Sequence, residues 1–283
     1  MPTFYGADTT TTTTTTETPS ESSDLAGSEG GVDGHDEIDQ LVEKQKSLSL
    51  TDPACHENIL ICDAGYGLPR EARPRREKVL AIARQLVNFL QFQEEYGEKN
   101  NHKYVAKVQV VGCKDEATLS ALEDRTRELY GQDALPGHVS FSCQALEDFC
   151  DEKSQSVSNE REATYLSPDA EVMLDPAGRP PAIAIVGLLI DRRVQPNRSN
   201  DRASKLKIRA ARWPLETSFQ NIHSNEPLNV DCILEGMQQW YWNWNDDSVP
   251  AFQTNKKECF VQAATVALGR HTQRHPSRPL HKE

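Results

Sequence analysis

With 283 residues, 37% of them apolar, the chain could hold one large domain or two small ones, but it is too polar to be packed from end to end. Its net charge of −12 is concentrated: residues 1–58 hold twelve Asp and Glu against Lys44 and Lys46, so ten of the excess negative charges lie there and the rest of the chain is nearly neutral. The acidity therefore does not exclude a nucleic-acid partner for the body, whereas seven scattered cysteines without a CxxC pair argue against a zinc centre or a disulfide framework and for a reducing compartment.

Residues 1–57 carry eight consecutive threonines, Thr9 to Thr16, and a Ser/Gly/Glu-rich stretch. They are expected to form a disordered acidic tail, because they have too little apolar surface to offset the entropy of ordering. The N-terminus has neither a signal-peptide core nor the Arg-rich character of a transit peptide, and no apolar run approaches the ~20 residues that span a bilayer. The expectation is a cytoplasmic or nuclear protein with no membrane attachment. A domain follows over residues 58–269, and residues 270–283 read as a basic tail with Arg270, Arg274, Arg278 and Lys282. His271 and His275 in that tail are read as solvated, and no metal site is expected.

Within the domain, short apolar runs alternate with stretches of helical period, the pattern of an α/β fold with a mostly parallel sheet flanked by helices. Asn58 to Asp63 reads as a buried strand. A Gly/Pro/Arg-rich turn (Gly65 to Arg76) precedes a helix whose apolar face runs from Val79 to Leu90. Tyr104 to Gly112 alternates as a second strand, Asp115 starts a helix carrying Leu119, Leu122 and Leu129, and His138 to Cys143 is a short strand. Residues 151–164, polar and charged, read as an exposed loop.

Ala182 to Ile190 is the longest apolar run in the chain and stops at Asp191, as a strand buried on both faces would. Ligands gather outside the carboxyl ends of such strands, so Asp191 is either a site residue or an aspartate that closes a turn. From Arg192 to Trp213 there are eight basic residues, Arg192, Arg193, Arg198, Arg202, Lys205, Lys207, Arg209 and Arg212, against Asp201 alone. A one-sign cluster of this density suits phosphate contact better than a solvated helix face, which usually mixes signs. Arg70, Arg73, Arg75, Arg76 and Lys78 could extend the surface. Ala210 to Leu215 reads as a short strand ended by Pro214, and Val230 to Tyr241 as an amphipathic helix. Trp240, Trp242 and Trp244 invite base stacking, although Trp240 and Trp244 share a helix face and packing on the sheet explains them more simply. A last helix is expected from Asn255 to Leu268.

These residues, taken in order, resemble the Trm10 family of tRNA N1-purine methyltransferases, members of the SPOUT class. The resemblance is carried by Tyr165-Leu166-Ser167, Gly187 four positions before Asp191, Ala203, Ile208 and Trp213-Pro214-Leu215, ungapped from Gly187 to Leu215. A looser segment, Leu228 to Glu235, is similar to the start of a family helix, and Ile59 to Asp63 to the first strand. The chain departs from the family pattern at Leu188, where a second glycine is usual, at Trp213, where an aliphatic residue is usual, and at Asp231 and Cys232, where asparagine and histidine are common.

The resemblance implies a SPOUT-like parallel sheet with a C-terminal trefoil knot that binds S-adenosylmethionine, largely through backbone atoms of Leu166, Gly187, Ser199, Trp213, Leu215, Pro227 and Leu228. It implies methyl transfer to N1 of a purine, guanine by family majority, at position 9 of tRNA. Asp191 is then the acceptor for the proton that guanine N1 must lose, and the basic residues from Arg192 to Arg212 are the RNA contacts. The family generally acts as a monomer. The alternative is a non-catalytic RNA-binding protein whose pocket Trp213 has closed; methylation of a non-RNA substrate suits the basic cluster less well.

Overall fold

The computed structural model describes residues 58–100, 102, 104–156, 163–189, 195–217, 219, 222, 228–245 and 255–274. The chain divides into two units, Met1–Ala54 and Cys55–Glu283, and all described residues lie in the second. The expectation of a disordered tail over residues 1–57 falls outside them.

The elements run β1 (Ile59–Asp63), α1 (Ala72–Lys99), β2 (Lys107–Val111), α2 (Glu116–Tyr130), β3 (Val139–Phe141), α3 (Leu146–Ser156), β4 (Ala163–Leu166), β5 (Ile183–Gly187), α4 (Arg198–Lys205), β6 (Arg209–Ala211), a single 3-10 turn at Leu215–Thr217, α5 (Val230–Trp244) and α6 (Lys256–Arg274). The six strands form one sheet in the order β3-β2-β1-β5-β4-β6, and every pair is parallel. The mostly parallel α/β sheet expected from the sequence is therefore present.

Alternation along each strand divides the core into two layers. Leu60, Cys62, Val108, Val110, Ala184 and Val186 face α1, α5 and α6, where Leu86, Phe89, Leu234, Trp240 and Phe260 complete one cluster. Ile59, Ile61, Ile183 and Ile185 face the other way, onto Leu146 and Phe149 of α3 and Ala203 of α4. β1 and β5 are buried at all five positions, which is why both read as continuous apolar runs rather than alternating ones. The α2 start follows the sequence: the Asp115 side chain accepts from Thr118 N–H at 2.7 Å, and Gly131 at φ 78° closes the helix.

Five expectations need correction. Residues 151–156 continue α3 and Ala163 and Thr164 begin β4, so much of the expected loop is regular structure. β5 ends at Gly187 rather than Ile190: Leu188 N–H makes the last ladder bond, to Asp63 C=O at 2.9 Å, and Leu189 N–H then turns onto Gly187 C=O at 2.7 Å. α1 starts at Ala72, with Pro74 in its first turn where a missing N–H costs nothing, so the end of the Arg-rich turn is helical. The last helix runs to Arg274, because Arg274 donates to Asp231 and Glu235 of α5 at 2.7 Å each and is anchored there instead of lying in a tail. His271 is accordingly 4% exposed, not solvated. No helix among the described residues is long and apolar enough to cross a membrane.

Candidate functional site

The strand order places a topological switch between β1 and β5. From β1 the chain builds outward through β2 to β3, then returns to lay β5, β4 and β6 on the opposite side. In open parallel sheets the loops leave such a point in opposite directions and open a crevice at the carboxyl ends, where ligands bind. Asp63 and Gly187, the last residues of β1 and β5, are register partners there.

Asp63 is fully buried and accepts four hydrogen bonds. Oδ1 takes Gly65 N–H at 2.8 Å and Arg202 Nη2 at 3.3 Å; Oδ2 takes the Tyr165 hydroxyl at 2.9 Å and Arg202 Nε at 2.9 Å. The Tyr165 hydroxyl lies 2.7 Å from that of Tyr66, and the guanidinium groups of Arg198 and Arg202 stand 5.3 and 5.9 Å from the Tyr66 ring centre. Burial raises the Tyr66 phenol to about 12 and the Tyr165 phenol well above its ordinary value, with the charge of Asp63 adding to both, so both are neutral at physiological pH. The hydrogen bond to Asp63 in turn holds the Arg202 guanidinium more firmly charged.

Two glycines make this packing possible. A Cβ on Gly187 would sit 2.8 Å from Tyr66 Cε2 and 2.9 Å from each of the two phenol oxygens; one on Gly65 would overlap Arg202 Nη2. Gly187 is therefore tied to the switch point by its missing side chain as well as by its position in the sequence pattern.

Other residues named from the sequence assemble along the same edge. Leu166 ends β4 in register with Val186, and Ser167 bonds through its N–H to Ala211 C=O at 3.0 Å, joining the ends of β4 and β6. The Ser167 and Ser199 hydroxyls, both buried, are 2.7 Å apart and tie α4 to that junction. Leu215 is buried just past β6, and Leu228 packs against the same core cluster. Trp213 behaves differently. Its side chain points into the core beside α5 and α6, edge-on to Trp240 and Phe260 at centroid distances of 6.5 and 5.7 Å, in space left by Gly236. The tryptophan that departs from the family pattern is thus accommodated within the core, and only its backbone is placed at the strand end. Asp191, Arg192, Arg193 and Pro227 lie outside the described residues.

The basic cluster does not act as one surface. Arg202 is committed to Asp63, and Arg212 donates to Ala170 C=O and Glu171 C=O at 2.6 Å each and faces Glu216 at 3.7 Å. Lys205, Lys207 and Arg209 are exposed, and Arg198 lies half-buried over Tyr66. The aromatic helix is core: Trp240 is 0% exposed, and Trp242 stacks on His102 at 4.5 Å and donates to Tyr104 C=O at 2.6 Å.

The chain shares structural similarity with Trm10 proteins. It matches the spTrm10(74) crystal structure at 14% identity and a TM-score of 0.48, covering 72% of this chain and 92% of that one. Full-length spTrm10 in complex with SAH matches at 13% and 0.47, covering 73% and 93%, and the dual-specific Trm10 of Thermococcus kodakaraensis at 15% and 0.42, covering 73% and 99%. No family model and no curated protein matches the sequence.

The Asp63-Tyr165-Tyr66-Arg202 cluster was not singled out as a site from the sequence. One signal was available: Asp63 ends an apolar strand just as Asp191 follows one. The partners themselves are 99 to 139 residues apart, beyond the reach of any local pattern.

Proposed function

We propose that the protein is an S-adenosylmethionine-dependent tRNA methyltransferase that modifies N1 of a purine, guanine in the first place, at position 9. The observation that carries this reading is the convergence at one sheet edge of Leu166, Gly187, Ser199 and Leu215, named from the sequence pattern, with the switch point between β1 and β5. The residues fit such a ligand: paired hydroxyls, a strand-end glycine without a side chain and flanking leucines are the mixture of polar and apolar groups that small-molecule sites use. Ser199 and the backbone at Leu166, Gly187, Trp213, Leu215, Pro227 and Leu228 are the groups proposed to hold the cofactor, which when bound supplies an electrophilic methyl group.

Asp191, four residues past Gly187, is the acid proposed to stand against the purine and accept from N1–H. The exposed Lys205, Lys207 and Arg209, with Arg192, Arg193 and Arg198, are proposed to hold tRNA phosphates; Arg202 and Arg212 act indirectly, by fixing Asp63 and the loop at Ala170. The C-terminal knot and monomeric action belong to the same proposal. Incubation of the purified protein with labelled cofactor and unmodified tRNA tests it, with label expected in RNA; none across several tRNAs would remove the claim. Asp191→Asn is expected to cut turnover while tRNA affinity holds, and unchanged turnover would give Asp191 a structural role only.

A further inference from the structure

α4 is attached to the sheet mainly through polar groups. Of its eight residues only Ser199 and Ala203 are buried, and Ala203 is its one member of the apolar cluster on that face. The other attachments are directional. The Ser199 hydroxyl lies 2.7 Å from that of Ser167, just past β4, and Asn197 N–H, just before the helix, donates to Asp169 Oδ2 at 2.8 Å. Arg202 reaches across to the end of β1, donating from Nε to Asp63 Oδ2 at 2.9 Å and from Nη2 to Oδ1 at 3.3 Å. Ser199 and Arg202 are three residues apart and share a face of the helix, so a slide or rotation of α4 that releases one displaces the other.

Asp63 is the fixed point of this attachment. Gly65 N–H, the Tyr165 hydroxyl and the two nitrogens of Arg202 together fill the roughly four lone-pair sites of a carboxylate, so the group anchors β1, β4 and α4 and has none left for a ligand. Arg202 is likewise turned inward: its side chain is 25% exposed against the fully buried Asp63, whereas Lys205 and Lys207 at the far end of α4 are exposed. Resting on the methyltransferase reading above, we infer that Arg202, although part of the basic cluster, is a positioning residue for the cofactor and not a phosphate contact. Its ion pair with Asp63 sets the seat of α4 and, through the shared helix face, the place of the Ser199 hydroxyl. A guanidinium suits this task because its planar fork engages both carboxylate oxygens, where a lysine holds as a single point charge.

The test is a double-mutant cycle read in cofactor affinity. Binding of S-adenosylhomocysteine is measured by calorimetry on the wild type, Arg202→Gln, Ser199→Ala and the double variant, and binding of tRNA to each by filter retention over a range of salt. Arg202→Gln and Ser199→Ala are each expected to weaken S-adenosylhomocysteine about tenfold, and the double variant also about tenfold, because both changes remove the same contact. The tRNA affinity of Arg202→Gln and its salt dependence are expected to stay as in the wild type. Arg202→Lys keeps the charge and loses the fork; it carries the same cycle where Arg202→Gln fails to fold, with an expected loss of about threefold.

A loss near a hundredfold in the double variant, or full affinity in Ser199→Ala, overturns the inference, since Arg202 would then not act through Ser199. Weaker tRNA binding with a shallower salt dependence, at unchanged S-adenosylhomocysteine affinity, overturns it too by making Arg202 a phosphate contact. Both results leave the methyltransferase reading standing. A wild type that binds no S-adenosylhomocysteine overturns that reading and the inference with it.

Discussion

Glu235 offers a quantitative test of how α6 is attached. Its side chain is 0% exposed on α5, one turn after Asp231, with Arg274 at 2.7 Å and Arg270 at 3.7 Å from α6. Asn88 and Gln85 of α1 approach the same cluster, meeting Asp231 at its Oδ2 and its N–H. Burial raises the Glu235 carboxyl from 4.5 to about 7 despite the downward pull of Arg274. A shift of that size corresponds to about 3 kcal/mol. Because the folded state holds the proton more tightly than the unfolded state, this group costs nothing below the unfolded value. Its contribution becomes unfavourable as pH rises from 4.5 to about 7 and is constant above. Urea unfolding of the wild type and of Glu235→Gln, at half-unit steps across this window, isolates the term from the other carboxylates. Relative to the variant, wild-type stability is expected to fall by about 3 kcal/mol between the two ends. Parallel profiles, or a wild type that gains on the variant as pH rises, would show that the arginines outweigh burial and that the latch works as a simple ion pair.

The remaining predictions concern packing and RNA contact. Gly236→Ala places a Cβ 2.3 Å from Trp213 Cη2 and 3.0 Å from Ala267 Cβ; it is expected to destabilise by about 1–3 kcal/mol in thermal or urea unfolding, and much less in a Trp213→Leu background. Equal costs in both backgrounds would show that the tryptophan and the glycine are not coupled. Lys207 sits at φ 56°, just past the end of α4, where a glycine is unstrained. Lys207→Gly is expected to raise stability by about 1 kcal/mol and to weaken tRNA binding with a shallower salt dependence; unchanged affinity at low salt would remove Lys207 from the RNA surface.

Much of the fold was legible because local and tertiary demands agree. The buried strand Ile59–Asp63 and the helix from Val230 to Trp244 read directly from their apolar pattern, and Asp115 announced its helix through capping chemistry. Elsewhere distant partners decide. Leu188 and Leu189 are apolar enough to continue β5, but after Leu188 makes the last ladder bond to Asp63 C=O, Leu189 N–H turns back onto Gly187 C=O and ends the strand. Gly269 and the basic residues after it look like the end of a helix until Asp231 and Glu235 are seen across from Arg274. The site divides in the same way. Gly187, Leu166 and Ser199 follow a linear pattern, whereas the buried cluster around Asp63 exists only once β1, β4 and α4 are side by side.

The most direct test of the methyltransferase reading is to incubate the purified protein with labelled S-adenosylmethionine and unmodified tRNA and to map the labelled nucleotide. A single methylated guanine at position 9, lost when that base is replaced by adenine, is the predicted result; label at another position, or binding of tRNA and cofactor with no transfer, would contradict it.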